Sequence, residues 1–518
     1  MIALLLTLAI ALPLLAASWI AIGYSFGWNR GEQGERETSR VALTANGLSL
    51  LSIILLDFQA LTGGFAPQIH LGQWFASGDV VINLSFTLDR LGLIMTTLIA
   101  TITLLTIKFS INYMHREAGY QRFFMILSLF SSAMLLIVAA GNGAMLFVGW
   151  EMAGVSSYLL IAYAFERPTA AANANRAFIT NRIGDIGLIA ALFFSFEWFG
   201  GIEWSQIAAA EDPTNHLTAG VVALAFLIAA FAKSAQFPFS GWISRALEGP
   251  TPSSAVFYGA LMIHAGVYLV LRLQPLIEHL PWIMGLLIVI GAITTLYGYL
   301  GALVQSDVKS TLIFSTNAHV GLMFVFAGLG WFELTTWYLV AHAIWRSFQF
   351  LSAPAHVQMM NQPTQRVPAW LKRQKWLYSA SLQRFWLDHI ADWLLVKPTQ
   401  ELALDIHNFD DRVVNRMVGL SGSSGALTSL AQHEEQQFGS SSSKHSAIGT
   451  ARGAMGHLLQ WIASMLYWFE EHLVLKSGGE GLLKGISFIG SYIEQVEALL
   501  SNPRYLLLMI MATFVVII

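Results

Sequence analysis

Two ionisable residues lie inside apolar stretches of this chain, where charged side chains are uncommon. Lys233 stands in the run Phe231–Pro238, and Glu151 stands in Met145–Leu160. A charge in a helix that crosses a membrane is energetically costly, and such residues commonly mark ion pathways. Burial favours the neutral form of a lysine, whereas a nearby carboxylate restores its charge. A change in their separation can therefore load or release a proton. We predict that Glu151 and Lys233 form a proton- or cation-conducting pair.

The sequence around the lysine nearly recurs later in the chain. Residues 231–238 read FAKSAQFP and residues 344–350 read IWRSFQF, which aligns Arg346 with the lysine. Pro238 follows the first cation and Pro354 follows the second. Proline removes a helical hydrogen bond, and paired helix interruptions are typical of transporters built from internal repeats. We predict broken helices at both prolines. The alternative is two unrelated cations that extend toward helix ends.

Three further charged residues are candidates for the same pathway. Arg182 and Asp185 stand three positions apart, a spacing that allows an ion pair on one helix. That pair either gates the pathway or is a helix-end salt bridge near the cytoplasm. Lys309 stands at the start of an apolar run. It either contributes to the pathway or extends to the membrane surface.

Three histidines, His264, His319 and His342, also interrupt apolar segments. The ordinary pKa of histidine lies near neutrality, which suits a proton relay. The alternative for each is a hydrogen-bonded structural histidine. None has a histidine or carboxylate four residues away, so the pattern predicts no metal site.

The composition is that of a membrane protein. The chain has 518 residues, of which 55% are hydrophobic and 11% are charged, with a mean hydropathy of +0.58. Soluble domains carry about 25% charged residues. The net charge of −3 gives no reason to expect nucleic acid as a partner. The absence of cysteine excludes disulfides, cysteine-ligated zinc, iron–sulfur clusters and thiol nucleophiles.

The apolar runs predict an all-α polytopic membrane protein with about 12 transmembrane helices. A span needs about 20 mainly apolar residues. The predicted spans are 2–23, 42–62, 89–110, 123–140, 144–164, 178–199, 217–237, 253–273, 282–304, 310–330, 334–353 and 504–518. Basic residues concentrate in alternate loops, with Arg272 as the exception. The charge rule therefore places the N-terminus outside and the basic loops in the cytoplasm. Residues 2–22 are interpreted as a retained helix.

Four regions follow from this pattern. They are N-terminal transmembrane helices (1–80), a transmembrane core (81–355), a cytoplasmic partner-docking region (356–503) and a C-terminal membrane helix (504–518). Residues 421–456, rich in serine and glycine, are typical of a flexible connector. Apolar residues recur at helical spacing over 458–473, which predicts an amphipathic helix.

Several motifs together resemble the proton-translocating antiporter-like membrane subunits of respiratory complex I and Mrp antiporters. The resemblance covers roughly residues 80–355 and rests on Asp89-Arg90, GWEMAGVSSYLL (149–160), NRIGD (181–185), KSAQFP (233–238), GPTPSS (249–254) and SDVKSTLIFST (306–316). In that family the matching glutamate and lysine form the couple of the first half-channel, which here implies Glu151 and Lys233. Arg346 departs from the lysine that is typical of the respiratory subunits. Because arginine keeps its proton, it suits a fixed charge better than a proton carrier.

Arg346, together with residues 257–260 and 342–354, makes the chain similar to the DabB/MpsA branch of this family. Members of that branch pair with a cytoplasmic, carbonic-anhydrase-like zinc protein of the DabA/MpsB type. The resemblance implies a proton- or Na⁺-conducting subunit for inorganic-carbon uptake in the bacterial inner membrane. Catalysis and zinc would then belong to the partner. The alternatives are a pumping subunit of a complex I, membrane hydrogenase or Mrp-type complex, and a non-conducting membrane anchor.

Overall fold

A computed structural model describes residues 2–63, 68–77, 80–209, 216–353, 367–409, 461 and 464–465. Helices dominate this part of the chain. The long helices are α1 Ile2–Phe26, α2 Gly31–Leu61, α3 Arg90–Tyr113, α4 Tyr120–Ala139, α5 Gly143–Ile161, α6 Pro168–Phe199, α8 His216–Lys233, α13 Pro281–Ala302, α14 Val308–Gly328 and α15 Phe332–Leu351. Short helices are α7 Trp204–Ala208, α9 Gly241–Arg245, α10 Thr251–Ser254, α11 Ala265–Arg272, α12 Gln274–Ile277, α16 Ala369–Arg373, α17 Lys375–Leu382 and α18 Leu387–Ala391.

Within the described ranges, ten helical segments are long and apolar enough to cross a membrane. They match the first ten predicted spans in order, and the polytopic helical fold is confirmed. The predicted eleventh span is the helix α15, which has 20 residues but is more polar. The predicted last span, the 421–456 connector and most of the 458–473 helix lie outside the described residues.

A two-stranded antiparallel hairpin, absent from the prediction, precedes α3. Its strands are β1 Gln68–Ser77 and β2 Val80–Thr87. The amide of Asn142 donates to the carbonyl of Asn83 (2.8 Å) and to the hydroxyl of Ser85 (2.9 Å). The Ser85 hydroxyl donates to a Glu203 carboxylate oxygen at 2.7 Å. These contacts fix the hairpin to the end of the bundle where α5 begins.

The α8 helix is broken near the predicted position. It ends at Lys233, and the residue after next, Ala235, adopts a left-handed backbone conformation with φ 50°. The amide of Gln236 donates to the carbonyl of Phe231, and the amide of Ala235 donates to the carbonyl of Ala232. This is the hydrogen-bonding pattern of a Schellman helix end, with alanine at the position where glycine is usual. The chain resumes as a helix only at α9.

A second broken span runs from Thr251 to Arg272 and is buried along its whole length. Between α10 and α11 lie a π-helical segment, Ala255–Ala260, and a short 3₁₀ segment, Met262–His264. Wider and tighter helical turns in succession redirect the backbone, and π segments frequently occur at functional sites. His264 therefore stands at a helix interruption that the sequence pattern does not reveal.

After α15 the described chain forms short helical pieces. The segment 384–396 contains a 3₁₀ turn, Arg384–Trp386, then α18 and a π-helical turn, Asp392–Val396. A separate unit begins at Lys397, and its described residues include the helix α19 Lys397–Phe409.

Candidate functional site

Glu151 and Lys233 belong to one cluster of four ionisable side chains. Glu151 on α5 forms an ion pair with Arg182 of α6. The Nε atom of Arg182 lies 3.5 Å from a carboxylate oxygen of Asp185. This first cluster contains two acids and two bases, so its formal charges balance. Balanced charges with close contacts are the condition under which ionised groups persist away from water.

Lys233 enters the cluster through backbone and aromatic contacts. Its Nζ atom donates to the carbonyl of Trp150 at 3.2 Å and lies 4.9 Å from the centroid of the Trp150 ring. The Trp150 indole donates to Asp185 at 2.7 Å. Carbonyl and cation–π contacts both stabilise the ammonium form. Trp150 is therefore the bridge between the lysine and the carboxylate.

The helix end at Lys233 leaves backbone carbonyl and amide groups that other elements bind. The indole of Trp242, on α9, donates to the carbonyl of Ala232 at 3.0 Å. The amide of Phe237 donates to the hydroxyl of Thr294, on α13, at 2.9 Å. Because unpaired backbone groups in a membrane are costly, these contacts allow the interruption to exist at this depth.

A small residue separates the two cations. A methyl group built on Gly154 would stand 3.1 Å from Nη2 of Arg182 and 3.4 Å from Nζ of Lys233. Both cations thus approach the same turn of α5. The structure brings Glu151, Arg182, Asp185 and Lys233 together, but the direct ion pair of Glu151 is with Arg182. Because Arg182 lies well inside α6, the helix-end interpretation of its pair with Asp185 is wrong.

A second cluster contains the three predicted histidines and Arg346. Nε2 of His264 lies 2.9 Å from Nδ1 of His342, and Nε of Arg346 donates to Nε2 of His342 at 3.1 Å. His319 lies beside His342, with ring centroids 5.0 Å apart, and hydrogen-bonds Tyr338. The π-helical interruption therefore aligns His264 with residues of α14 and α15.

These contacts fix the tautomers of two histidines. Since Arg346 has only donor groups, Nε2 of His342 must accept and carries no proton. In the neutral ring the proton is then on Nδ1 of His342, which donates to Nε2 of His264. The row Arg346–His342–His264 is thus a directed chain of donors and acceptors. A proton that enters this row of hydrogen bonds at His264 must exchange donor and acceptor in at least one of them.

Arg346 makes a three-way contact. Its remaining nitrogens donate to Gln349 (2.8 Å) and to the hydroxyl of Ser315 (2.5 Å). The helix that carries it is continuous from Phe332 to Leu351, so the cation is not at a helix end, unlike Lys233. Pro354 lies outside the described residues.

Ser234 joins the segments that carry the two clusters. Its hydroxyl donates to the carbonyl of Ile263 at 2.6 Å and accepts from the amide of Gly266 at 3.1 Å. It therefore links the residue after Lys233 to both sides of His264. Ser347 follows Arg346 as Ser234 follows Lys233, but the partners of Ser234 are not readable from the sequence.

Lys309 lies apart from these contacts. Its ammonium donates to the hydroxyl of Thr251 (2.5 Å), which also hydrogen-bonds Tyr113 (2.8 Å). The lysine therefore stands at the end of the bundle where the second broken span begins.

Sequence reasoning missed Trp150, Tyr338, Ser315 and Gln349, because tryptophan, tyrosine, serine and glutamine in apolar helices carry no specific signal.

Two buried clusters of ionisable groups beside interrupted helices define a helical membrane protein with the elements of an ion transporter. The family described as NADH:quinone oxidoreductase/Mrp antiporter, transmembrane region, matches residues 140–369. The family described as NADH-ubiquinone oxidoreductase (complex I), chain 5 N-terminus, matches residues 74–124. These two segments of the chain therefore belong to the antiporter-like membrane subunit family of complex I and Mrp antiporters.

Curated relatives include the chloroplastic NAD(P)H-quinone oxidoreductase subunit 5 of Lemna minor and of Marchantia polymorpha. The first is 37% identical over 310 residues, which are 59% of this chain and 42% of the relative. The second is 34% identical over 355 residues, which are 67% of this chain and 51% of the relative. The chain thus spans about half the length of these relatives.

Two solved structures have a similar fold. A chain of the Mrp complex from Dietzia sp. DQ12-45-1b is 26% identical, with a TM-score of 0.58, and the match covers 67% of this chain and 37% of that one. A chain of the membrane-bound sulfane sulfur reductase, an archaeal respiratory membrane complex, matches with a TM-score of 0.57. It is 17% identical and covers 67% of this chain and 55% of the other, so it shows the fold alone.

The predicted partner, a carbonic-anhydrase-like zinc protein of the DabA/MpsB type, is wrong. These relatives are subunits of NAD(P)H-quinone oxidoreductase, and the similar structures belong to Mrp and respiratory membrane complexes. The prediction depended on features such as Arg346. The replacement of one lysine by arginine can arise in any branch of a family whose members share the same membrane core.

Proposed function

We propose that this chain is a proton-translocating, antiporter-like subunit of a respiratory or Mrp-type membrane complex. The observation that carries this proposal is the cluster of Glu151, Arg182, Asp185 and Lys233 at the broken end of α8. The family match supports the proposal. The inorganic-carbon interpretation has no such support.

The chemistry of the first cluster suits reversible protonation. Arg182 keeps its charge, so it can compensate Glu151 or Asp185 but not both equally. Lys233 is the group of the four that can lose its proton and that stands at the end of a helix. When Arg182 moves toward Glu151, Asp185 is left to interact with the lysine through Trp150. Such exchange of partners alters the preference of Lys233 for its proton.

The histidine row is a second pathway segment in this proposal. His264 and His342 exchange a hydrogen bond next to the fixed charge of Arg346. Ser234 connects this row to the first cluster through the backbone on both sides of His264. Protons, rather than Na⁺, fit a row of ring nitrogens, because Na⁺ prefers oxygen ligands. Redox or antiport chemistry belongs to other subunits of the proposed complex.

The proposal is tested by proton flux in proteoliposomes that contain the complete complex. Glu151→Gln and Lys233→Ala are each expected to lower the flux by about 100-fold, since positioned proton-transfer groups contribute on that scale. Lys108→Ala is the matched control, because that lysine is exposed on α3. Its flux is expected to equal that of the wild type.

Unchanged flux in Lys233→Ala, with normal assembly of the complex, would contradict the proposal and favour a non-conducting anchor. Loss of flux in the Lys108→Ala control would show instead that any lysine substitution damages the complex. Purification in mild detergent provides a second test. Co-purification with quinone-reductase or Mrp-type subunits is expected.

A further inference from the structure

Asp388 is a buried carboxylate that holds two arginines at one face of the membrane core. One of its oxygens accepts from Nε (3.0 Å) and Nη2 (2.8 Å) of Arg245. The same oxygen accepts from Nη1 of Arg384 at 3.3 Å. The Asp388 side chain is only 8% exposed. Hydrogen bonds between an ionised carboxylate and a guanidinium are among the stronger ones in proteins.

Arg245 belongs to the chain that follows Lys233. It is the last residue of α9, whose Trp242 donates to the carbonyl of Ala232 in the last turn of α8. Arg384 also donates to the hydroxyl of Ser244, in the same helix, at 2.9 Å. A continuous series of contacts thus runs from Asp388 through α9 to the helix end that carries the lysine.

The segment that carries Asp388 also contacts the helix of the acidic partner. Asp392 accepts from Arg176 of α6 at 2.5 Å, and both side chains are mostly buried. Arg176 stands less than two helical turns before Arg182 on the same helix. Residues 384–392, here named the strap, therefore contact α6, which supplies Arg182 and Asp185, and α9, which packs against the end of α8.

Apolar contacts fix the strap between these two ion pairs. Phe385 packs near Tyr297 of α13, with ring centroids 6.1 Å apart, and Leu387 packs in the same small cluster. Phe237, directly before Pro238, joins that cluster. The strap therefore contacts the segment after Lys233 at two points, in its non-helical part through Phe237 and at the end of α9 through Arg245.

We propose that Asp388 is a positioning residue for proton transfer at Lys233. It holds α9, through Arg245, against the end of α8, and the strap thereby sets the position of the lysine relative to Arg182 and Asp185. The effect on proton transfer at Lys233 rests on the proposed function, whereas the contacts of Asp388 with α9 do not depend on it. The strap is the point at which the chain after the membrane core can act on the ion pathway.

Hydrogen–deuterium exchange of the full chain in its complex tests the geometry. Asp388→Asn is expected to speed exchange of the amides in 234–245 by about tenfold, because the forked arginine contact is weakened. Amides in α4 are expected to keep their wild-type rates. Arg245→Gln removes the other partner and is expected to give the same local pattern. Asp405→Asn, an exposed carboxylate of α19, is the charge-matched control and is expected to change neither region.

Proton flux as a function of pH tests the consequence. Asp388→Asn is expected to shift the pH at which flux is half-maximal, because the surroundings of Lys233 change, and Asp388→Glu is expected to restore it. Wild-type exchange in 234–245 for both Asp388→Asn and Arg245→Gln would overturn the inference. A flux that is merely scaled down, with an unshifted pH profile, would also overturn it. If Lys233→Ala leaves flux intact, the proposed function fails, while the exchange result still decides whether Asp388 holds α9.

Discussion

At the scale of single residues, Arg182 and Trp150 connect the acidic and basic groups of the first cluster. Glu151 and Lys233 stand in one cluster, as expected from two charges in apolar runs. The ion pair, however, is between Glu151 and Arg182. Pair identity depends on where α5 and α6 cross and on rotamers, and neither is encoded in local spacing. Trp150, which contacts both Lys233 and Asp185, had no signal of its own.

Gly154→Ala is expected to lower proton flux without preventing assembly. The added methyl would lie 3.1 Å from Arg182, which is tighter than ordinary contact, so the guanidinium must move. Its ion pair with Glu151 would then lengthen. Flux and complex yield are measured together. Wild-type flux at wild-type yield would show that the precise position of Arg182 has no role.

Arg346→Lys is expected to make flux sensitive to alkaline pH. Arginine keeps its proton at any working pH, whereas a buried lysine releases its proton more readily. Once the variant lysine is neutral, it no longer donates reliably to His342, so flux falls as pH rises. The wild type is expected to keep its flux to a higher pH than the variant. The measurement is flux in proteoliposomes across neutral to alkaline pH, and identical profiles would exclude a charge requirement at this position.

At the scale of elements, one of the two helix interruptions was predictable. Pro238 predicts the interruption after α8, because proline has no backbone N–H to continue the helical hydrogen bonds. The π-helical segment before His264 contains no proline and was missed. It arises from packing against α14 and α15, a tertiary cause that a single sequence does not express. The hairpin β1–β2 was missed although β2 alternates apolar and polar residues from Ile82 to Thr87, which is the pattern of a strand with one buried face.

Gly266→Ala is expected to destabilise the protein by about 1–3 kcal/mol. Its methyl would stand 2.2 Å from the carbonyl oxygen of Ala230 and 2.4 Å from the hydroxyl of Ser234. The close contact between α8 and α11 would have to open. Gly285→Ala, on α13, is the control, since nothing lies within 4 Å of its added methyl. Thermal unfolding in detergent measures both, and equal midpoints would contradict the account of this contact.

At the scale of the whole molecule, the order of the spans followed from hydropathy and charge. The one basic residue that departed from the charge pattern has a structural explanation. Both outer nitrogens of Arg272 bind Asp89, at 2.6 and 3.0 Å. A neutralised arginine adds little to the charge asymmetry that orients a membrane protein. The predicted orientation, with the N-terminus outside, remains a prediction.

The lack of cysteine makes that orientation directly measurable. His279→Cys, in an exposed site between α12 and α13, is expected to react with an impermeant maleimide added to intact cells. Gln33→Cys, exposed at the start of α2, is expected to react only after the membrane is opened. The wild type supplies the unlabelled background. The reverse pattern would place the N-terminus in the cytoplasm.

The burial of the span Thr251–Arg272 also has a consequence for biosynthesis. Its histidine contacts His342 of α15, and its neighbour α14 is likewise made later than the span itself. When the ribosome has just delivered this span, those surfaces do not yet exist. The span must therefore wait in contact with lipid or an insertion factor, and the histidine row closes only after the nascent chain has passed α15.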